Sequence, residues 1–126
     1  MSRKTMYISG EWVESVSGKT RNIINPFNQE IIATVTEGDE KDAKLAIKAA
    51  RVAFDKGDWA NKPVNERGEL IQKIAELIRR DKEELAKLET LDTGKTLIES
   101  QADMDDIANV FQYYAGLADK YGGVNF

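Results

Sequence analysis

Apolar residues along this chain follow two different spacings, and the change from one to the other falls near Gly38. Before it, short β-prone runs alternate with turn residues. Met6 to Val13, MYISGEWV, is interrupted by Ser9-Gly10-Glu11, and Ser15 to Lys19 is a polar turn containing Gly18. Thr20 to Asn25 carries Ile23 and Ile24 up to Asn25-Pro26, where proline drives the preceding residue towards extended geometry; Phe27-Asn28-Gln29 then turns the chain into a further strand, Glu30 to Val35. The pattern predicts short strands over about residues 6–35, with the second hairpin the better defined. Strands this few and short do not hold together alone, so they must pack on helices or on another part of a larger protein.

After Gly38 the spacing becomes three and four. Ala43, Ala46, Ile47, Ala50, Ala53 and Phe54 define a helix over about residues 40–55, with Asp39 as its N-cap and Gly57 just past its end, and with a buried face made mostly of alanine. Trp59 and Pro63 mark a loop. Leu70, Ile71, Ile74, Leu77, Ile78, Leu85 and Leu88 then form one long stripe, predicting a single helix over about residues 64–91. A third helix, about residues 100–121, is expected to open on the capping sequence Ser100-Gln101-Ala102-Asp103. It should bury Ile107, Val110, Phe111, Tyr114, Leu117 and Tyr121 and stop at Gly122-Gly123, after which Val124-Asn125-Phe126 reads as the start of a further strand that is cut off.

Composition narrows the chemistry. The chain has 126 residues, 41% hydrophobic and 32% charged, which is enough for one domain with a modest core. Eighteen basic against 22 acidic residues give a net charge of −4, which argues against a nucleic-acid binder or an anionic-membrane binder. No apolar run approaches a membrane span and MSRKTMYIS lacks a secretory h-region, so a cytoplasmic location is expected. Without cysteine or histidine there is no thiolate nucleophile, no Ser-His-Asp triad and no His-ligated or Cys-ligated metal. The glycines form neither GxGxxG nor GxxxxGK[ST]. What chemistry remains concentrates at the turn Thr93-Gly94-Lys95, where Asp92 ends one helix and Asp103, Asp105 and Asp106 crowd the start of the next, four acids around one joint that could serve a cation. Lys95 is expected to be solvated, and Tyr114 rather than Tyr113 to lie in the core.

Several segments, in order, resemble the amino-terminal region of the NAD-dependent aldehyde dehydrogenase superfamily. They are Tyr7-Ile8-Ser9-Gly10-Glu11-Trp12, Ile24-Asn25-Pro26 with Glu30 to Val35, Glu66-Arg67, Glu89-Thr90-Leu91-Asp92-Thr93-Gly94-Lys95, and Tyr113-Tyr114-Ala115-Gly116. Ala102-Asp103-Met104-Asp105-Asp106 turns the likeness towards the betaine aldehyde dehydrogenases of bacteria. The resemblance implies an α/β fold and a considerably longer subunit, in which a Rossmann-like domain binds NAD and another supplies a catalytic cysteine and a glutamate base, with the substrate held as a thioester intermediate. The Rossmann core and the catalytic domain have no counterpart in these 126 residues, so the chain alone is expected to be inactive. The partners implied are the rest of the subunit, a small aldehyde, and further copies in a homo-oligomer.

The resemblance also assigns sites. Main-chain carbonyls at Ile23 and Ile24 and oxygen from Asp92 match family positions that hold a potassium or sodium ion, completed by a ligand from beyond residue 126; the plainer reading makes Asp92 a turn cap and the isoleucines core. Asp103 and Asp106, three apart on one helical face, match acids at the mouth of a substrate tunnel in aminoaldehyde enzymes; the plainer reading makes them caps that compensate the helix dipole. A stand-alone helical assembly module is the competing functional class, and an aminoaldehyde or a neutral aldehyde is the competing substrate.

Overall fold

The computed structural model describes residues 3–118 and 120. It divides into two compact units, the first running to Ala60 and the second starting at Asn61, where composition alone suggested one domain. The fold class is mixed α/β, as expected.

The first unit holds two small sheets and a helix. Strands β2 (Met6–Ile8) and β3 (Glu11–Val13) pair antiparallel through Ser9-Gly10, whose φ angles of 58° and 87° give a two-residue turn matched to the twist of the strands. Tyr7 and Trp12 face each other across that hairpin with ring centroids 5.1 Å apart. Strands β4 (Thr20–Ile24) and β5 (Ile31–Thr36) pair antiparallel with a register shift between Ile23 and Ile24. A strand outside the expected range, β1 (Arg3–Lys4), lies parallel to β5. Its two residues carry no periodicity, and its partner is some thirty positions away, so local pattern offered nothing to detect it.

Helix α1 (Glu40–Lys56) starts at Asp39, as the pattern predicts. Its alanine face is not a core, however: Ile47 and Phe54 are each 68% exposed, and the buried residue of the helix is Asp42, at 3%. Among the described residues, those buried in this unit are polar: Ser15, Asn25, Thr36 and Asp42. Asp42 accepts from the backbone N–H of Val16 in the preceding turn and of Asp39, the cap of its own helix, which is the requirement for burying a carboxylate.

The second unit is helical. The single long helix expected over 64–91 is two helices, α2 (Val64–Arg80) and α3 (Lys82–Thr93). Asp81 between them sits at φ −100°, ψ 14°, with both its carboxylate oxygens taken by the Arg80 guanidinium at 2.8 and 2.7 Å. That fork holds the Asp81 carboxyl below its ordinary range, chiefly through the hydrogen bonds from Arg80. The break escapes detection in the sequence because an aspartate, unlike proline or glycine, does not by itself stop a helix.

Helix α4 (Leu97–Leu117) begins three residues earlier than expected. Thr96, not Ser100, is its N-cap: the Glu99 N–H donates to Thr96 Oγ1 at 3.3 Å while the Thr96 N–H and hydroxyl donate to Glu99 Oε2 at 3.3 and 2.8 Å. This is a Thr-x-x-Glu capping box, legible in Thr96-Leu97-Ile98-Glu99 but passed over for the acidic run behind it. The expected helix end near Tyr121 and the strand start at 122–126 lie outside the described residues.

Packing in this unit reverses the expected assignment of bulk. Ala75, Ala86 and Ala108 are its buried apolar residues, whereas Leu70, Ile74, Leu77, Leu88, Ile107, Val110, Tyr114 and Leu117 are exposed, Tyr114 to 61%. A Cβ added at Gly68 of α2 would come within 2.9 Å of the Ala118 Cβ and 3.1 Å of the Ala115 carbonyl oxygen, so the helices touch backbone to backbone there. The apolar stripes exist where periodicity places them, but of their members Ile71, Ile78, Leu85 and Phe111 are only half-buried and the exposed ones named above point away from the helix contacts.

Candidate functional site

The junction between α3 and α4 draws the most polar side chains together. Gly94, in the left-handed region at φ 78°, donates its N–H to the Thr90 carbonyl and ends α3, a conformation a Cβ would strain. The chain then needs only Lys95 and the Thr96 cap before α4 begins. This short return sets Lys95 against both helices: its ammonium donates to Glu89 Oε1 of α3 at 3.4 Å and to Asp103 of α4. Lys95 is half-buried, not freely solvated as expected, and the Asp103 hydrogen bond leads the effects that hold its proton more tightly than usual. The second Glu89 oxygen has no hydrogen-bond partner among the described residues. Beneath the pair, the Thr90 and Ser100 hydroxyls are 3.0 Å apart, and Ser100 is fully buried in the first turn of α4, a packing position rather than a cap.

Further links tie α4 to its neighbours. Lys82 donates to Asp105 at 2.7 Å, Gln101 to Glu83 at 2.8 Å, and Arg79 to Asn109 at 2.9 Å and to Gln112. They cluster around the Asp81 break, so the two helices on either side of it are both fastened to α4.

The four acids singled out around the joint are therefore not one cation cage. Asp105 is paired with Lys82, Asp103 with Lys95, and Asp92 lies exposed in the last turn of α3; among the described residues no three acidic side chains converge on a possible metal position. Because α4 starts at Leu97, Asp103 and Asp106 sit past its first turn, where the helix dipole no longer supports a carboxylate, so the capping reading of both loses its basis. Asp106 is exposed and has no ion-pair partner among the described residues.

The residues assigned to a monovalent cation fall on the two units, Ile23 and Ile24 in the first and Asp92 in the second. At Ile23/Ile24 the β4–β5 ladder shifts register, the kind of irregularity that leaves a main-chain group unpaired. Asp92, at the negative end of the α3 dipole, is a carboxylate placed where a nearby cation relieves it. The amino-terminal groups of α1 and α4 are engaged by their own capping boxes.

Asp42 is a structural tie with a local sequence signal. Asp42 stands three residues after the Asp39 cap, the capping-box spacing; its Oδ2 accepts from the Asp39 N–H at 2.9 Å and its Oδ1 from the Val16 N–H at 2.9 Å. It thereby ties the 15–18 turn to the start of α1.

The junction and the hairpins recur in known proteins. A model of the aldehyde dehydrogenase family matches residues 12–126. The chain is 68% identical over 120 residues to a betaine aldehyde dehydrogenase of Bacillus subtilis, covering 95% of this chain and 24% of the relative, and 45% identical over 120 residues to human mitochondrial aldehyde dehydrogenase, covering 94% and 23%. The crystal structure of a betaine aldehyde dehydrogenase from Staphylococcus aureus in complex with NAD+ superimposes with a TM-score of 0.93 at 59% identity, over 96% of this chain and 24% of that one. This chain therefore spans about a quarter of the length of the curated relatives it matches. On the extent of the family match and the identity carried along nearly its whole length, the chain belongs to the aldehyde dehydrogenase family.

Proposed function

We propose that this chain is the amino-terminal segment of an NAD-dependent aldehyde dehydrogenase that oxidises betaine aldehyde to glycine betaine in the cytoplasm, and that it is inactive by itself. The observation that carries the reading is the 68% identity to the Bacillus subtilis betaine aldehyde dehydrogenase over 95% of this chain. NAD supplies the hydride acceptor in such an enzyme, and the reading places its binding elements, the cysteine and the base outside these residues, since the chain holds no cysteine. The homo-oligomer implied by the family belongs to the complete subunit in the same way.

What this chain would contribute is scaffold, charge and ion ligands. A betaine aldehyde carries a fixed positive charge, which an unneutralised carboxylate attracts at long range. Lys95 occupies Asp103, so Asp106 carries the larger free charge, and we assign it the greater part of any steering at the substrate entry. The Ile23 and Ile24 carbonyls, at their register shift, and Asp92, at its helix end, are each proposed as oxygen donors to a potassium or sodium ion in the complete subunit.

The test is a hybrid enzyme in which this chain replaces the matching 120 residues of the Bacillus subtilis relative. In it Asp106→Asn should lower kcat/KM for betaine aldehyde several-fold at low salt and less at high salt, where steering is screened, with little change for a neutral aldehyde. Asp103→Asn should do less than Asp106→Asn. Equal losses for charged and neutral substrates would remove the steering role from both residues.

A further inference from the structure

Charges at the α3–α4 junction are unevenly matched. Glu89, Asp103 and Asp106 stand against one ammonium, that of Lys95, which donates to Glu89 Oε1 at 3.4 Å and to Asp103. Asp105, the remaining acid of the run, is paired with Lys82 at 2.7 Å. Asp103 and Asp106 are three residues apart on α4, so their side chains are neighbours on one helix face, about 5–6 Å apart at Cβ. A charge fixed on Asp103 therefore lies well within the ~10 Å screening length of 0.1 M salt from Asp106.

The backbone sets where that charge sits. Gly94 ends α3 in the left-handed conformation and Thr96 caps α4, so Lys95 is the single residue between them. Its side chain, 37% exposed, is held from both helices at once, by Glu89 on one and Asp103 on the other. Swinging out to solvent would leave two carboxylates without their shared cation, and the second oxygen of Glu89 is already buried with no hydrogen-bond partner among the described residues. The hydrogen bond to Asp103 leads the effects that keep Lys95 protonated, so its positive charge persists through the neutral range.

We propose that Lys95 is a specificity-determining residue of the complete enzyme: its ammonium, fixed between Glu89 and Asp103, offsets part of the negative field that Asp103 and Asp106 present to an approaching aldehyde, and so limits the preference for a cationic aldehyde over a neutral one. The inference rests on the reading of Asp103 and Asp106 as acids at the substrate entry. It assigns to Lys95 an effect opposite in sign to theirs. Because the fields of fixed charges add, removing the ammonium acts at a distance like adding a carboxylate. Removing the ammonium together with the Asp103 carboxylate leaves the distant field nearly as it was.

A four-member cycle in the Bacillus subtilis hybrid tests this: the parent hybrid, Lys95→Gln, Asp103→Asn and the two together, each assayed with betaine aldehyde and with a neutral straight-chain aldehyde. Glutamine keeps an N–H donor for Asp103 while removing the charge. Lys95→Gln should raise kcat/KM for betaine aldehyde roughly two- to threefold at low salt, with the gain fading at high salt and the neutral aldehyde little changed. Lys95→Arg, which keeps the charge, should retain the parent's ratio between the two substrates, and the double variant should return to that ratio. A lysine with a merely structural role predicts a different pattern, in which both substrates lose alike whatever the salt, and that result would overturn the proposal. Should Lys95→Gln alone not fold, the other leg of the cycle asks the same question, since the double variant should exceed Asp103→Asn by the same factor for betaine aldehyde. A charge-selective loss with Asp106→Asn but no charge-selective gain on removing the Lys95 ammonium would overturn the proposal and leave the entry reading standing. No charge-selective effect at Lys95, Asp103 or Asp106 would overturn both.

Discussion

Asp42 and Lys95 each join two segments, and each does so with a charge whose protonation can be followed. The backbone hydrogen bonds from Asp39 and then Val16 hold the Asp42 carboxyl below its ordinary range. A carboxyl lowered in the folded state stabilises it above the unfolded pKa of about 4 and loses that contribution as pH falls through the folded value. Asp42→Asn keeps one acceptor where two N–H donors need two, so its urea midpoint should lie below that of the parent chain at neutral pH. Once the Asp42 carboxyl of the parent chain is protonated in strong acid, the midpoints should converge. Lys95 runs the other way: its raised pKa supports the α3–α4 junction at all pH values below the unfolded lysine value of about 10.4 and is lost as pH rises through the folded value. Lys95→Met should destabilise the chain at neutral pH by leaving Glu89 and Asp103 without their shared cation, and Asp103→Asn added to it should recover part of the loss. The Asp39 cap was legible in the sequence because caps have a local signature. The burial of Asp42 was not, because periodicity looks for apolar residues and says nothing about a carboxylate that bonds a distant turn.

Helix contacts in the second unit depend on residues that contribute no bulk. Leucine and isoleucine periodicity located the helices, but the surfaces that touch are Gly68, Ala75, Ala86, Ala108 and Ser100, which a reading weighted by hydrophobicity passes over. Gly68→Ala should be destabilising: the overpacking cost of about 1–3 kcal/mol outweighs the helix-propensity gain of about 1 kcal/mol. Gly116→Ala is the control, because a Cβ there meets nothing within 4 Å, and it should stabilise the isolated chain by up to about 1 kcal/mol. Thermal melts followed by circular dichroism separate the two, and a loss at Gly116 as large as at Gly68 would remove the close approach as the cause. The start of α4 was misplaced for a related reason. Ser100, the residue chosen as cap, is buried against Thr90, and Thr96→Ala should cost about 1 kcal/mol where Ser100→Ala would act through packing.

The two hairpins and the helical content were readable along the whole chain, since each rests on short-range pattern; the division into two units and the two-residue parallel strand were not, since both depend on pairings distant in sequence. The exposed apolar faces, the absence of cysteine and the match to a quarter of longer relatives all lead to one account, in which this chain shapes and fastens part of an enzyme whose chemistry is supplied by the remainder. The rate of NADH formation from betaine aldehyde measures that account directly. The isolated chain should give no rate above the uncatalysed background, and the Bacillus subtilis hybrid carrying it should oxidise betaine aldehyde at a kcat/KM within about tenfold of the intact relative, a span of about 1.4 kcal/mol. Turnover by the isolated chain, or a folded hybrid that binds NAD and yet oxidises no betaine aldehyde, would contradict it.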